Sequence, residues 1–341
     1  MYKYLLTCFL ALAATCAHAG VGLTQVTPAK GDGPVTVFYP SSAADQPIQR
    51  GPFSLNLAFN GAPQRGNGRL VVLSHGSGGN PWVHSNLART LVEAGFVVAM
   101  PQHQGDNAQD HSKPGPESWK LRPGEVSRAV DAVAQDARFA PLLSLDKVGM
   151  YGMSAGGHTA LSLAGGRWSD AQFTRHCEAN IAEDFPSCVG LMTSLRGNFL
   201  DGLKKMVAVG AIRTRFTDEA WHVHNDPRIR AVVAGVPYAA DFDAGSLAAP
   251  AVPLGLVTAR LDKWLTPRFH SDRILAACKT CELVADLPTG GHGALLSPLP
   301  PMDRLGEIGA DLMGDPPGFD RAVLPAVDAK ITVFFQKHLL P

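Results

Sequence analysis

The sequence predicts an α/β protein whose central sheet is mostly parallel, with helices on both faces. Short apolar runs of strand length recur along the chain, among them "FVVAMP" (96–101) and "RAVVAGVP" (230–237). Segments in which apolar residues recur at helical spacing separate these runs. Strands that are buried on both faces and alternate with helices are typical of parallel sheets. Ligands of such sheets bind at the carboxyl ends of the strands.

Each element follows from a local pattern. Two β-rich runs, 35–39 and 53–59, come first, and an apolar run at 69–74 leads into the glycine-rich loop "HGSGGN". The later predicted elements are helix 81–94, strand 96–101, helix 125–139, strand 147–152, helix 154–164, strand 230–237, strand 253–262, helix 267–277, strand 281–288 and helix 322–338. Together they predict one α/β domain over residues 20–341.

The segment at about 165–228 interrupts this alternation. It has no convincing strand, holds two cysteines and contains short amphipathic pieces such as "NFLDGLKKMVAVGAI" (198–212). We predict a helical insertion that forms a cap over the carboxyl ends of the strands, because both ends of the segment emerge near the site described below. A peripheral excursion without substrate contact is the alternative.

The balance of charge excludes several classes of partner. The 341 residues include 30 Lys+Arg and 30 Asp+Glu, so no positive excess indicates nucleic acid or anionic lipid. No internal run of about 20 apolar residues predicts a membrane span. We expect no cofactor, no nucleic-acid partner and no stable membrane insertion, and the oligomeric state is left open.

Residues 1–19 have the pattern of a signal peptide. Lys3 gives a weakly positive start, an apolar core follows, and Ala17-His18-Ala19 fits an A-x-A cleavage site. The apolar core is too short for a membrane anchor, and the residues before Cys16 make a poor lipid-attachment sequence. We therefore expect an exported protein, periplasmic or secreted, whose mature chain begins at Gly20.

Cleavage would leave four cysteines, Cys177, Cys188, Cys278 and Cys281. An even number in an oxidising compartment favours disulfides, and four cysteines allow three connectivities. The pairing of sequence neighbours, Cys177–Cys188 and Cys278–Cys281, is the first choice. The second pair could instead be a redox motif or half of a zinc site, but a second C-x-x-C and a thioredoxin-like pattern are missing. We expect no metal.

Ser154 lies in a G-x-S-x-G pattern, Gly152-Met153-Ser154-Ala155-Gly156. The pentapeptide alone is a weak signal, but an apolar strand precedes it and a helix follows. Glycines two residues to either side would let strand and helix approach each other at a strained turn. The hydroxyl would project from the sheet at the positive end of a helix. We therefore predict that Ser154 is a nucleophile.

A serine nucleophile needs a base, and the base needs an orienting acid. The expected chain order on such a scaffold is Ser, acid, His. Asp262 ends the run "PLGLVTARLD", and His292 lies in a glycine-flanked loop after the last predicted strand. Both residues fall at carboxyl ends of strands, as Ser154 does. We predict the triad Ser154, Asp262 and His292.

Other residues compete for these roles. Asp241 and Asp243 also follow a strand, so either is an alternative acid. His158 lies one helical turn beyond the serine, where its helix directs it away from the hydroxyl, so we expect a packed histidine. The histidines of "HVHND" (222–226) could share one face of a strand and bind a metal, but no third ligand is evident and a solvated segment is favoured.

A tetrahedral intermediate needs hydrogen-bond donors for its oxyanion. The backbone N–H of Ala155 is one predicted donor, and the Ser77 N–H of the loop after strand 69–74 is the other, with Gly78 as the alternative. The Ser77 hydroxyl is not expected to be a nucleophile, because no strand-to-helix turn surrounds it.

Four residues are predicted at the rim of the substrate site: Gly78, His103, Asp106 and Met153. His103 and Asp106 belong to "PQHQGDNAQD" (101–110), which follows a predicted strand. Their role is left open between substrate contact, a hydrogen bond that anchors loops, and plain surface.

These residues together resemble the α/β-hydrolase fold, and more narrowly the predicted dienelactone hydrolases, exported bacterial proteins that are also similar to platelet-activating-factor acetylhydrolases. The shared features are the Ser-His-Gly loop at 74–76, the G-x-S-x-G-G motif, "DPRIRAVVA" before a strand, the D-x-x-x-x-P segment at 262–267 and a cysteine-containing insertion. The likeness extends from about residue 35 to the C-terminus. Dienelactone hydrolases use a cysteine where this chain has Ser154, so the family name does not give the reaction.

The triad implies hydrolysis of a small-molecule carboxylic ester through an acyl-enzyme, by a carboxylesterase-type enzyme. The alternatives are a lipid or polyester hydrolase, a peptidase and a non-catalytic binding protein. A lipid or polyester hydrolase would need an apolar wall, for which the insertion offers Met192, Leu195, Phe199 and Leu200. The competing role for these four residues is the insertion's own core.

Overall fold

A sheet of ten strands forms the centre of the protein, which we describe from a computed structural model of residues 20–341. The predicted signal peptide, 1–19, lies outside the described residues. The strands are β1 (Gly20–Val26), β2 (Val35–Ser41), β3 (Gln46–Arg50), β4 (Phe53–Phe59), β5 (Leu70–Ser74), β6 (Val97–Pro101), β7 (Val148–Met153), β8 (Ile229–Gly235), β9 (Leu254–Ala259) and β10 (Glu282–Leu287). Their order is β10-β9-β8-β7-β5-β6-β2-β1-β4-β3. The pairs from β10 to β6 are parallel, and the remaining pairs are antiparallel except β1 with β4.

Helices cover both faces of the sheet. They are α1 (Ser85–Glu93), α2 (Pro116–Gln135), α3 (Ala155–Leu163), α4 (Asp170–Asn180), α5 (Phe185–Val189), α6 (Leu200–Arg215), α7 (Ser271–Ala277), α8 (Glu307–Met313) and α9 (Leu324–Leu339). Strand β5 contributes Val71 and Leu73 to the core beneath α1 and α9, and Leu70 and Val72 to the core beneath α2 and α3. The fold prediction, a mostly parallel sheet between helical layers, is confirmed.

Several elements differ from the sequence-based prediction. Helix α2 spans Pro116–Gln135 rather than 125–139. Pro116 suits the first turn of a helix, where no N–H is needed, but the second proline, Pro123, obscured the helical pattern of the early turns. Strands β1 and β3 and helix α8 were not predicted. Every residue of β1 pairs with β2, so the partner strand rather than a local pattern defines it.

Residues 165–228 contain α4, α5 and α6 and no strand beyond an isolated bridge between Trp168 and His222. Disulfides join Cys177 to Cys188 and Cys278 to Cys281. Within residues 20–341, no helix has both the length and the apolar character needed to cross a membrane.

Helix α6 buries little of its apolar surface. Ile212 is its one buried residue, and Phe199, just before the helix, is 91% exposed. Met192 is 82% and Leu200 43% exposed, while Leu195 is half-buried against the core. The interpretation of these residues as the insertion's own core is therefore wrong for Met192, Phe199 and Leu200.

Candidate active site

Ser154 occupies a sharp turn between β7 and α3. Its backbone has φ 58° and ψ −118°, a conformation that non-glycine residues rarely adopt. A Cβ atom on Gly152 would lie 1.9 Å from the carbonyl oxygen of Gly156, and one on Gly156 would lie 2.0 Å from that of Ser74. Both positions therefore require glycine, and the turn presents the Ser154 side chain at the start of α3.

The three residues of the predicted triad lie in one hydrogen-bonded line. The Nε2 atom of His292 is 3.0 Å from the Ser154 Oγ, and its Nδ1 atom is 2.7 Å from the Asp262 Oδ2. Since the carboxylate can only accept, Nδ1 carries the ring proton and Nε2 presents a lone pair to the serine. The Asp262 Oδ1 accepts from the backbone N–H groups of Trp264 and Leu265, at 2.9 and 2.8 Å.

The sheet topology brings these residues together. Ser154 follows β7, Asp262 follows β9 and His292 follows β10, and the strands from β7 to β10 are parallel neighbours. Their carboxyl ends therefore share one edge, the edge where such folds bind ligands. Asp262 and His292 are 4% and 7% exposed, so the carboxylate–imidazole bond is shielded from water.

The loop after β5 lies against the serine. A Cβ atom on Gly76 would be 3.3 Å from the Ser154 Cβ. Gly76 and Gly79 close a turn around Ser77 and Gly78, in which Gly78 has a φ of +64°. The Gly78 N–H donates to the Asp106 Oδ1 at 2.9 Å, so this alternative oxyanion donor is already used. No backbone carbonyl group among residues 20–341 accepts from the Ser77 N–H.

Three of the four predicted rim residues do not line a rim. His103 and Asp106 are fully buried and Met153 is 2% exposed, whereas Gly78 is partly exposed. Asp106 turns inward because it pairs with the buried Arg122, 2.8 Å away. Met153 ends the buried strand β7, and its side chain belongs to the core. The prediction that these three residues lie at the rim of the site is therefore wrong.

His103 is buried because it bridges β5 and α2. Its Nε2 is 2.7 Å from the Ser74 Oγ, and its Nδ1 is 2.5 Å from the Glu125 Oε2. Burial, together with the positive Arg122, holds the pKa of His103 well below its usual range. Burial and the neighbouring His103 do the same to the pKa of His75. Both rings are therefore neutral at neutral pH.

Arg122 is a residue of this region that the sequence did not indicate. It lies on α2, is fully buried and reaches the loop after β5. Burial alone would raise the pKa of Asp106, but Arg122 and hydrogen bonds from Ser77 and Gly78 outweigh it and place that pKa below its usual value. A single arginine on a helix, far in sequence from its partners, carries no local signal.

The rival acids are engaged elsewhere. The Asp241 Oδ2 lies 3.1 Å from the His158 Nε2, and both side chains are fully buried. The His158 ring stacks on Trp119, so it is packed within an aromatic cluster. Asp243 pairs with Arg167 at 2.7 Å in a partly exposed position. Neither aspartate contacts His292 in the described structure.

Two side chains of the "HVHND" segment have protein partners. His224 contacts the Ser127 hydroxyl at 2.9 Å, and Asp226 pairs with Arg228 at 2.7 Å. No group of three or more metal-ligating side chains suited to an ion occurs in residues 20–341.

A cleft of about 590 Å³ lies between the insertion and α8. Its walls include Phe185, Leu195, Arg196, Lys263, Trp264 and Ile308. Lys263 and Trp264 directly follow Asp262 in the chain. The cleft therefore adjoins the loop that carries Asp262.

Comparisons with known proteins establish the fold. No family model matches the chain, and no curated protein sequence matches it. Among solved structures, 944 chains match. One is a ferulic acid esterase from Streptomyces cinnamoneus, with 17% sequence identity and a TM-score of 0.55 over 96% of this chain and 91% of that chain. Together with the mostly parallel sheet, this likeness identifies an α/β-hydrolase fold.

Proposed function

We propose that this protein is a serine hydrolase that cleaves carboxylic esters through an acyl-enzyme on Ser154. The observation that carries the proposal is the unbroken line from the Ser154 Oγ through His292 to Asp262, with bonds of 3.0 and 2.7 Å. In this arrangement Ser154 would be the nucleophile, His292 the base and Asp262 the orienting acid. The esterase among the structural neighbours is in keeping with ester hydrolysis.

In the proposed mechanism, the His292 Nε2 accepts the Ser154 proton while the Oγ attacks the ester carbonyl carbon. Asp262 stabilises the imidazolium that forms, and the backbone N–H groups of Ser77 and Ala155 bind the oxyanion. The imidazolium then protonates the leaving alcohol, which departs as the carbonyl re-forms. In the second half of the cycle, His292 takes a proton from water, which attacks the carbonyl carbon of the acyl-enzyme. The imidazolium then returns that proton to the Ser154 Oγ as its bond to the acyl group breaks, and the acid is released.

We propose a small or medium ester as the substrate, for a protein that works outside the cytoplasm. The two disulfides and the pattern of residues 1–19 support export to the periplasm or the medium. In this proposal residues 20–341 form one domain, and residues 165–228 form its cap. The narrower resemblance to predicted dienelactone hydrolases remains a sequence-based prediction.

The exposed apolar residues of the insertion favour a second candidate, a lipid or polyester hydrolase. Phe199, Met206 and Val207 are 91%, 66% and 60% exposed, which is unusual for large apolar side chains grouped on one segment. A rate profile over p-nitrophenyl esters of increasing acyl length separates the two candidates. The leading proposal expects the highest kcat/KM with short and medium acyl chains, and a maximum with long chains would favour the second.

A fluorophosphonate probe tests the catalytic proposal. We expect the wild-type protein to be labelled at Ser154 and to lose esterase activity in step with labelling. Ser154→Ala should show neither labelling nor turnover. Ser144→Ala is the matched control and should behave as wild type. Ser144 precedes β7 and lies at the amino-terminal ends of the strands, away from Ser154. An active, unlabelled Ser154→Ala variant would refute the proposal.

A further inference from the structure

We propose that the buried ion pair of Asp106 and Arg122 is a positioning device that holds the oxyanion loop, residues 74–78, against Ser154. This inference rests on the proposed ester hydrolysis, since it assigns these residues an effect on that reaction. Both side chains are fully buried, and neither contacts the triad through a hydrogen bond. They act on the loop that carries the proposed oxyanion donor, the Ser77 N–H.

Asp106 holds the outer half of the loop. Its Oδ1 accepts from the Ser77 hydroxyl at 2.6 Å and from the Gly78 N–H at 2.9 Å. Its Oδ2 accepts from an Arg122 Nη2 at 2.8 Å. One carboxylate thus fixes both residues on either side of the peptide bond that follows Ser77, and these charge-assisted bonds are stronger than neutral ones.

Arg122 holds the inner half of the loop. Its Nη1 donates to the His75 carbonyl oxygen at 2.5 Å, and its Nη2 lies 3.5 Å from the Gly76 carbonyl oxygen. Its Nε donates to the Ser118 Oγ at 2.8 Å, which fixes the guanidinium on α2. The rigid fork of an arginine suits this task, because several donors are held in one plane.

The same face of α2 anchors the loop a second time. Glu125, three residues after Arg122, accepts from the His103 Nδ1, and His103 in turn contacts the Ser74 Oγ. The His103 N–H donates to the His75 Nε2 at 3.3 Å, and the His75 Nδ1 donates to the Gly76 carbonyl oxygen at 2.8 Å. The loop is therefore tied to α2 through its side chains and its backbone.

Stability alone is a weak reason for such an ion pair. A buried pair loses the hydration of both charges, and replacement by apolar residues is often neutral or stabilising. Here the polar atoms of the pair contact four consecutive residues, His75 to Gly78, beside the proposed nucleophile. A shift of about 1 Å in an oxyanion donor is enough to lower the rate strongly.

The test measures kcat/KM for p-nitrophenyl acetate per active site, with sites counted by a fluorophosphonate titrant taken to completion. Asp106→Asn and Arg122→Lys should lower this value by about 10²-fold, the effect of losing one oxyanion donor. Affinity for a trifluoromethyl ketone, whose hemiketal places an oxyanion in the same position, should fall by the same factor. A merely structural role would reduce the number of titratable sites and leave both values per site unchanged.

Asp226→Asn is the matched control, because Asp226 is a 5% exposed aspartate paired with an arginine at the start of β8, on the opposite edge of the sheet. It should lower the melting temperature yet keep the wild-type rate and inhibitor affinity per site. Unchanged values in the folded Asp106→Asn and Arg122→Lys variants would overturn the inference.

Ser77→Ala covers the case in which those variants do not fold, since it removes one bond to Asp106 and leaves the ion pair intact. We expect about a tenfold loss in both values per site, the typical strength of a hydrogen bond to a charged group. Wild-type values in this variant would contradict the inference. A wild-type protein that neither reacts with the titrant nor hydrolyses esters would instead refute the proposed function.

Discussion

The side chains of the proposed oxyanion loop are mostly buried or hydrogen-bonded, whereas those of helix α6 are mostly exposed. In residues 74–78, Ser74 and His75 are at most 1% exposed, and the loop is held by contacts with Asp106 and Arg122. In α6, Ile212 is the one buried residue, and Met206 and Val207 are more than half exposed. Buried polar contacts hold residues 74–78 in one conformation, whereas helix α6 exposes apolar side chains to solvent. We therefore expect substitutions near Ser154 to change the rate, and substitutions on α6 to change little in the fold.

The largest expected effect concerns the acid. Asp262→Asn should lower kcat by about 10⁴-fold, because an amide in place of the carboxylate favours the wrong His292 tautomer and cannot stabilise the imidazolium. Steady-state hydrolysis of p-nitrophenyl acetate measures this loss. Asp241→Asn, which removes a buried carboxylate from His158, is the matched variant and should keep most of its activity per titrated site. A greater loss in Asp241→Asn than in Asp262→Asn would contradict the acid assignment.

A second prediction concerns the packed end of the insertion, where Cys177–Cys188 joins α4 to α5. Replacing both cysteines by serine should lower the free energy of unfolding by about 3 kcal/mol, because the unfolded chain regains the entropy of a short closed loop. Urea unfolding of the oxidised wild type and of the double variant measures the difference. Equal free energies would show that this end of the insertion is as loosely held as α6.

A third prediction concerns pH and the buried His84. Burial lowers its pKa to about 4, and neither ring nitrogen has a hydrogen-bond partner among residues 20–341. His84 binds a proton near pH 6.5 in the unfolded chain, but only near pH 4 in the folded protein. Stability that is complete above pH 6.5 is therefore lost as pH falls from 6.5 to 4.

Urea unfolding at pH 7.5 and pH 5 measures this contribution. Between these values the wild type should lose about 2 kcal/mol more stability than His84→Leu. His111→Leu, at an exposed histidine, is the control and should follow the wild type. Parallel curves for wild type and His84→Leu would contradict the assignment of a buried, neutral His84.

The smallest expected effect is on α6. Met206→Ser should change the free energy of unfolding by less than about 0.5 kcal/mol, because the side chain is already 66% exposed. Ile212→Ala in the same helix should cost about 3 kcal/mol, because it removes a buried side chain. Urea unfolding of both variants tests the contrast. A large loss in Met206→Ser would mean that the exposed face of α6 is covered in solution.

The sequence predicted the parts of the fold that carry a strong local pattern. The apolar runs of β5 to β9 and the glycines beside Ser154 are such patterns, because burial on two faces and a close backbone approach each restrict the residue type. Strand β1 was not predicted, because its pairing with β2 rather than a local pattern defines it. The start of α2 was not predicted, because Pro123 interrupts the helical pattern.

The sequence predicted the site residues whose positions follow from the order of the strands. It did not predict the residues whose positions depend on how a helix packs against the sheet. Ser154, Asp262 and His292 each follow a strand, so the topology implied that they would lie on one edge. Arg122 could not be found, because its contacts with His75 and Asp106 exist only after α2 packs beside β5. The inward orientation of His103 and Asp106 has the same origin, since buried partners on α2 hold both side chains.

The most direct test of the account is a rapid acid quench of the wild-type protein during hydrolysis of p-nitrophenyl acetate, followed by mass spectrometry of its peptides. We expect acetylation of the peptide that contains Ser154 and of no other peptide, in an amount that matches the initial burst of nitrophenol. A burst of nitrophenol without an acetylated Ser154 peptide, or an acetyl group on another residue, would contradict the assignment of Ser154 as the nucleophile.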